Sequence, residues 1–252
     1  MSTDVLLIDA FNLIRRIYEA RPDSEAIDDL VTACAASVRR ALQQHVPSHA
    51  CVVFDSHDKT WRHLLYPDYK QNRKPTPSVL LENLPAFRSA FLDAGVKSLK
   101  LDNYEADDLI ATLAHGTAAN EGRVEILSTD KLFAQLLSPH VHLFNHFEGR
   151  EITISQTETR YGVTISQLTD FWAMAGDAGN NVKGVPKIGS KTSARLLARY
   201  DSLEEILRSE DDNPSADRVR KHGDLAQRCK QLVTLKTDVE LGINLKSLRF
   251  SA

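Results

Sequence analysis

The stretch Val5-Leu-Leu-Ile-Asp-Ala-Phe-Asn-Leu-Ile-Arg-Arg-Ile-Tyr-Glu-Ala20 sets the fold class. A short apolar run closes on an acid, Asp9, and from Phe11 the apolar positions change to helical spacing. The same device returns in Cys51-Val-Val-Phe-Asp55, in Val96 to Asp102 followed by Glu105-Ala-Asp-Asp108, and in Val124-Glu-Ile-Leu-Ser-Thr-Asp130. Helical patterns lie between these runs: Ser24 to His45 with Ser24 as N-cap, Ser78 to Ala94 ending at Gly95, a helix from Glu105, and Lys131 to Leu137. Strands alternating with helices predict an α/β fold with a mostly parallel sheet. Such sheets bind ligands beyond the carboxyl ends of their strands, where these acids would gather. Crowded carboxylates repel one another, and a hard divalent cation between them relieves the repulsion.

The chain has 252 residues, of which 42% are hydrophobic and 26% charged, enough for one large domain or for one domain with an appendage. Its sequence carries no apolar stretch long enough to cross a bilayer, and no basic region precedes the first apolar run, so a cytoplasmic protein is expected. Cys34, Cys51 and Cys229 are widely spaced, which points to reduced, structural thiols rather than a zinc cage. The net charge of −3 conceals a segregation of sign. Lys183, Lys187, Lys191, Arg195 and Arg199 follow one another with no acid between them, and Lys59, Arg62, Lys70, Arg73 and Lys74 cluster in Ser56 to Lys74. Basic surfaces beside an acidic pit suit a polyanion delivered to metal ions.

Ser56 to Pro77 has no clear period and is interrupted by Pro67, Pro75 and Pro77, so a long exposed segment is expected there. Val141 to Ile154 reads as an edge hairpin turning at Gly149, and Ser155-Gln-Thr-Glu158 offers a capping box for a helix that stops at Gly162. Helices are then expected over Ile165 to Ala175, Ser190 to Tyr200, Ser202 to Ser209 and Asp224 to Thr237, with Glu210 to Pro214 as a flexible loop. The division expected is an α/β core over 1–160, with 56–94 as an elaboration, and an α-helical region over 161–252.

Two segments carry the chemistry. Glu105 and Asp108 lie three apart on one helical face and Asp107 points elsewhere, toward the strand ends. A structural alternative stands beside a metal role: Asp102-Asn-Tyr-Glu105 has capping-box spacing, and acids in a first helical turn are favoured by the helix dipole alone. That alternative leaves Asp9, Asp55 and Asp130 unexplained. In Gly176 to Leu197, Gly184 and Gly189 permit close backbone approach, and N–H groups at the start of the helix near Ser190 and Lys191 can hold a phosphate oxygen without reading a base.

In this order, Asp9, Phe54-Asp55, Tyr69-Lys-Gln-Asn-Arg73, Tyr104-Glu-Ala-Asp-Asp108, Ser128-Thr-Asp-Lys131 and Gly184-Val-Pro-Lys-Ile-Gly-Ser-Lys-Thr192 resemble the bacterial 5′-nuclease family of flap endonucleases and polymerase-associated 5′→3′ exonuclease domains. The match covers nearly the whole chain and is most similar to the short, stand-alone exonuclease IX type. The resemblance implies a PIN-like α/β nuclease domain, a helical arch over about 56–94, and a helix-three-turn-helix grip on duplex DNA at 174–199. It implies Mg²⁺ held by Asp107, Glu105, Asp108, Asp9 and Asp55, with Asp130 and Asp177 left from a second site. Leu132 and Asn180 stand where the family commonly has acids, so the second metal position is depleted. The resemblance also implies K⁺ on the backbone carbonyls of Met174, Ala175, Lys183, Val185 and Ile188, and DNA contacts from Lys187, Ile188, Gly189, Ser190, Lys191 and Thr192.

In the arch region, Arg62, Lys70 and Arg73 are candidates to clamp the scissile phosphate, with Lys70 and Arg73 as the catalytic pair and Tyr69 available to stack on an unpaired base. The function expected is a monomeric, Mg²⁺-dependent, structure-specific 5′ nuclease on flapped or junction DNA. A flap-binding protein that has lost efficient cleavage is the main rival, and a metal-dependent ribonuclease is disfavoured because it has no use for a duplex grip.

Overall fold

Six strands form one sheet in the order β3-β2-β1-β4-β5-β6. They are β1 (Val5–Asp9), β2 (His49–Val53), β3 (Lys97–Leu99), β4 (Val124–Leu127), β5 (Val141–Asn145) and β6 (Arg150–Ile152). All neighbours are parallel except β5 and β6, which form the edge hairpin expected around Gly149. The computed structural model describes residues 4–21, 26–56 and 58–250. Strand β1 is buried along its whole length, because it is the centre of a sheet covered on both faces.

The helices are α1 (Ala10–Glu19), α2 (Ile27–His45), α3 (Trp61–Leu65), α4 (Ser78–Glu82), α5 (Leu84–Asp93), α6 (Ala106–Ala118), α7 (Ile154–Tyr161), α8 (Leu168–Ala175), α9 (Ser190–Tyr200), α10 (Leu203–Arg208), α11 (Pro214–Lys221) and α12 (Gly223–Val233). Two compact units result. The sheet unit holds residues 1–58, 75–152 and 236–252, and the helical unit holds 59–74 and 153–235. In the sheet unit, Leu6, Ile8, Ala50, Val52 and Leu127 of the strands pack with Leu30, Cys34, Val38, Phe87 and Phe91 from α2 and α5. Among the described residues no helix is long and apolar enough to cross a membrane. Cys34, Cys51 and Cys229 are free, buried thiols, and burial pushes those of Cys34 and Cys51 up to about 12.

Several local expectations change. Ser24 lies outside the described residues; α2 starts at Ile27 with Ala26 as a cap that makes no side-chain bond. The expected Ser78 to Ala94 helix is two helices meeting at Asn83, where Pro85 in the first turn of α5 cannot continue the ladder of α4. The capping box before α7 is Thr153 with Gln156, which bond reciprocally at 3.2 Å; Glu158 accepts the Ile165 N–H instead, and Gly162 ends the helix as expected. Lys131–Leu136 is a 3₁₀ turn rather than an α-helix. The segment from Ser56 to Pro77 is exposed at Pro67, Asp68 and 71–75 as expected, but it also contains α3 and buries Arg62 and Tyr69. Nor is Glu210 to Pro214 a free loop, because Asp211 is held by Tyr200, Arg199 and Arg220, and Asn213 caps α11.

Candidate metal and nucleic-acid site

The chain runs from β1 through β2 to β3 on one side and then crosses over to β4 on the other, so the carboxyl ends of β1 and β4 flank the point where strand order reverses. Asp9 closes β1 there and is 7% exposed. Its carboxylate accepts from the Asn12 N–H at 3.1 Å, capping α1, and from the Ser128 hydroxyl at 2.9 Å. Ser128 Oγ in turn accepts from the Asp130 N–H at 3.1 Å, and Asp130 Oδ1 accepts from the Leu132 N–H at 2.8 Å. Asn12 and Arg16 both donate to Thr129 Oγ1, at 2.9 and 2.8 Å, fixing the turn after β4. Ser128, Thr129 and Asn12 thus hold the acids in place; Ser128-Thr-Asp130 is legible as a motif, but its hydroxyl partners become visible only across the strands.

Burial is the main cause that pushes the Asp9 carboxyl from the usual 3.8 up to about 7. The charge of Asp55 adds to it and that of Asp130 contributes further, against the Asn12 and Ser128 hydrogen bonds. Three acids therefore share one field at the ends of β1, β2 and β4. Asp55 Oδ1 accepts the N–H of Ala106 at 2.8 Å, which binds the start of α6 to the end of β2. Glu105 is the N-cap of α6 and makes no side-chain cap bond, and Asp107 and Asp108 occupy its first turn. The capping box of Asp102 with Glu105 is therefore not formed, and Asp102 is an exposed acid paired with Lys100 at 3.3 Å.

Glu105, Asp107 and Asp108 are 4%, 7% and 0% exposed, a degree of burial unusual for carboxylates at a helix start. Asp108 serves the fold directly. Its Oδ1 accepts the Lys236 N–H at 3.0 Å, and Thr112, one turn on, accepts the Val239 N–H at 3.3 Å, so α6 anchors the returning C-terminal segment. Leu132 is 1% exposed and belongs to the apolar interior. Among the described residues, no three His, Cys, Asp or Glu side chains are drawn together as a metal-binding group. The fit to a metal rests on the all-oxygen donor set and on the mutual repulsion felt at Asp9, both of which suit a hard cation.

In the helical unit, Asp177 is 1% exposed and caps a 3₁₀ turn, Ala178–Asn180. Its carboxylate accepts from the Gly179 N–H at 3.2 Å and from Asn180 Nδ2 at 2.6 Å. Arg73 donates through Nη2 to Asn180 Oδ1 at 2.7 Å, and the Lys70 N–H donates to the Asn180 carbonyl at 3.0 Å. Arg62 is completely buried; it donates to the carbonyls of Leu232 and Thr234 at 2.9 and 3.3 Å and lies over the Trp61 ring. Tyr69 is 2% exposed and packs edge-on against His63. The structure therefore corrects two expected roles: Arg62 satisfies carbonyls at the C-terminal end of α12 instead of clamping phosphate, and Tyr69 is a packed ring with no face for a base.

The hairpin between α8 and α9 depends on two glycines. Gly184 has φ +68°, and a Cβ there would lie 2.4 Å from the Gly176 nitrogen; Gly176 has φ +84° and faces the Lys183 carbonyl. This crossing brings the carbonyls of Met174, Ala175, Lys183 and Val185 into one short hairpin, where Met174 accepts the Val185 N–H at 2.8 Å and Val185 accepts the Ile188 N–H at 3.0 Å. Ile188 is buried and its N–H is used, so its side chain is not a DNA contact. Lys187, Gly189, Ser190 and Lys191 are exposed at the start of α9, whose N-cap, Gly189, brings no side chain to the terminal N–H groups. Thr192 is half-buried and accepts from Arg195 at 3.4 Å.

Comparisons with known proteins agree with this architecture. Residues 4–162 match the model of the 5′-3′ exonuclease N-terminal resolvase-like domain, and residues 163–252 match that of the 5′-3′ exonuclease C-terminal SAM fold. The flap endonuclease Xni of Psychromonas ingrahamii is 42% identical over 260 residues, spanning 100% of this chain and 98% of that protein. The flap endonuclease Xni of Vibrio cholerae is 40% identical over 256 residues, spanning 100% and 98%. Among solved structures, the bacteriophage T5 D15 flap endonuclease with DNA and metal ions superposes with a TM-score of 0.77 at 19% identity, covering 91% of this chain and 88% of that one. The catalytic core of Rad2 with DNA substrate gives 0.56 at 14%, covering 94% and 81%. With both domain models matched in order along its length and full-length relatives at about this similarity, the chain belongs to the 5′-3′ exonuclease family.

Proposed function

We propose that this protein is a divalent-metal-dependent 5′ nuclease that hydrolyses phosphodiester bonds at flaps and junctions in cytoplasmic DNA. The observation that carries the reading is the gathering of buried acids: Asp9, 7% exposed at the end of β1, lies in the field of Asp55 and Asp130, and Glu105, Asp107 and Asp108 are buried at the start of α6, which the Ala106 N–H ties to Asp55. Acids held this way are relieved by a positive charge, and the all-oxygen set of Asp107, Glu105, Asp9, Asp55, Asp108 and Asp130 suits Mg²⁺. When bound, such an ion lowers the pKa of a coordinated water and neutralises charge on a phosphate.

The chain's own groups do the rest. Ser128, Asn12 and the Ala106 N–H orient the carboxylates. Lys70 and Arg73 supply the positive charge that stabilises the phosphorane-like oxyanion. Lys187, Gly189, Ser190 and Lys191 hold duplex phosphates at the N-terminus of α9, which fixes the substrate without reading sequence. The carbonyls of Met174, Ala175, Lys183, Val185 and Ile188 are the donors for a K⁺ that would shape this grip. Leu132 and Asn180 bring no carboxylate, so a second divalent ion has fewer ligands and the enzyme is expected to need more free Mg²⁺.

The test is cleavage of end-labelled 5′-flap DNA across a Mg²⁺ series, with Asp107→Asn as control. Cleavage by the parent and loss in the variant, with flap binding retained, is the expected result. Tight flap binding by the parent with no metal-dependent cleavage would make the protein a binding module instead.

A further inference from the structure

Residues 68–73 are fastened to the 178–181 turn by a run of short hydrogen bonds. Arg73 Nε donates to the Gly179 carbonyl at 2.9 Å and Nη2 to Asn180 Oδ1 at 2.7 Å. Asn72 Nδ2 donates to the Ala178 carbonyl at 2.7 Å, the Lys70 N–H to the Asn180 carbonyl at 3.0 Å, and Asn181 Nδ2 to the Asp68 carbonyl at 2.7 Å. Lys70 itself has φ +57°, a left-handed conformation that a lysine keeps only when its surroundings enforce it.

At the centre of this run, Asn180 donates from Nδ2 to Asp177 at 2.6 Å while its Oδ1 accepts from the guanidinium. Only an amide can donate and accept in this way. A carboxylate here would face Asp177 at repulsive range, and an apolar side chain would take one hydrogen bond from each of Asp177 and Arg73.

We infer that Asn180 is a positioning residue: its amide links Asp177 to Arg73 and so holds Lys70 and Arg73 in an ordered, phosphate-ready arrangement before DNA arrives. The role of the held pair rests on the nuclease reading above; the latch itself does not. Arg73 is exposed and uses only part of its guanidinium in the latch, so other N–H donors remain for a phosphate oxygen. Ordering the segment in advance removes a cost that substrate binding would otherwise meet.

The experiment compares parent, Asn180→Ala, Asn180→Asp and Arg73→Lys. Without DNA, trypsin cleavage after Lys70 should accelerate about tenfold in Asn180→Ala and Arg73→Lys, the effect of losing one or two hydrogen bonds that hold the segment closed. Flap-cleavage kcat should fall by a similar factor in both, with affinity for blunt duplex unchanged and no rescue by excess Mg²⁺. Arg73→Lys retains the charge, so a purely electrostatic role for residue 73 predicts the parent's kcat and protection. Equal trypsin protection in the parent, Asn180→Ala and Arg73→Lys would overturn the latch. So would an Asn180→Asp protein that keeps its protection and cleaves at lower Mg²⁺, since position 180 would then be a metal-ligand position. A parent that fails to cut flaps sinks the nuclease reading by itself, while the protease readout still decides the latch.

Discussion

Replacing Asp9 by Asn should stabilise the metal-free protein while abolishing its activity. In the folded state the Asp9 carboxyl titrates at about 7 against its usual 3.8, so folding favours the protonated form. A carboxyl with a raised folded-state pKa contributes its full stability at low pH and loses it as the pH climbs from about 4 through 7. At pH 8 the ionised group is a net cost. At 1.36 kcal/mol per pH decade, the interval from 3.8 to about 7 gives a ceiling of roughly 4 kcal/mol, and screening leaves about 2–4 kcal/mol. Asn keeps the shape: its Oδ1 still accepts the Asn12 N–H, and the Ser128 hydroxyl can turn to accept from the amide. For a chain of this size, about 2–4 °C per kcal/mol puts the gain in Tm on the order of 10 °C at pH 8 in chelator, shrinking toward zero at pH 4. Added Mg²⁺ should raise the parent's Tm, by about 2.7 kcal/mol of stability at a hundredfold excess over Kd, and move the variant much less. Thermal melts at pH 4 and 8, with EDTA and with Mg²⁺, make the comparison. A variant no more stable than the parent at pH 8 in EDTA, or a gain of the same size at both pH values, would show that Asp9 is not held against its charge and would remove the main support for a cation in this pit.

Glu125, buried in β4, has its carboxyl pushed up to about 7, chiefly by burial, and His45 at 3.8 Å is itself kept neutral by burial and offers no opposing charge. Glu125→Gln should therefore gain about 2–3 kcal/mol over the parent above pH 7 and nothing near pH 4, read by urea denaturation at the two pH values. Lys191→Ala should weaken binding to all duplex sequences alike and lower the salt-dependence slope by about one charge, measured by fluorescence anisotropy over a salt series; a sequence-dependent loss would count against a phosphate contact. Gly184→Ala places a methyl group 2.4 Å from the Gly176 nitrogen at φ +68° and should cost at least about 3 kcal/mol and abolish duplex binding, with retained binding showing that the crossing is not needed for the grip.

The sequence by itself determined the parts that follow from local periodicity. Apolar runs such as Val5 to Asp9, alternating with helical spacing, can only bury themselves as strands of a largely parallel sheet, and every such strand delivers its terminal acid to the same edge. Gly184 likewise reads as a place of close backbone approach, and it crosses Gly176, whereas Gly189, read the same way, has open space where a Cβ would sit. What remained undecided were contacts between residues far apart in the chain. Asp108 looks like its neighbour Asp107 in sequence, yet only the return of Lys236 to α6 commits its oxygen to a backbone N–H. Arg62 and Tyr69 read as clamp and stacking platform in a proline-broken segment; carbonyls at the C-terminal end of α12 hold the one and the ring of His63 packs the other. Asn180 shows in sequence only as a missing acid. Its amide acquires a purpose when Asp177 on one side and Arg73, more than a hundred residues away, on the other meet it within hydrogen-bond distance, because satisfying a buried polar group depends on which donors and acceptors the tertiary fold brings to it.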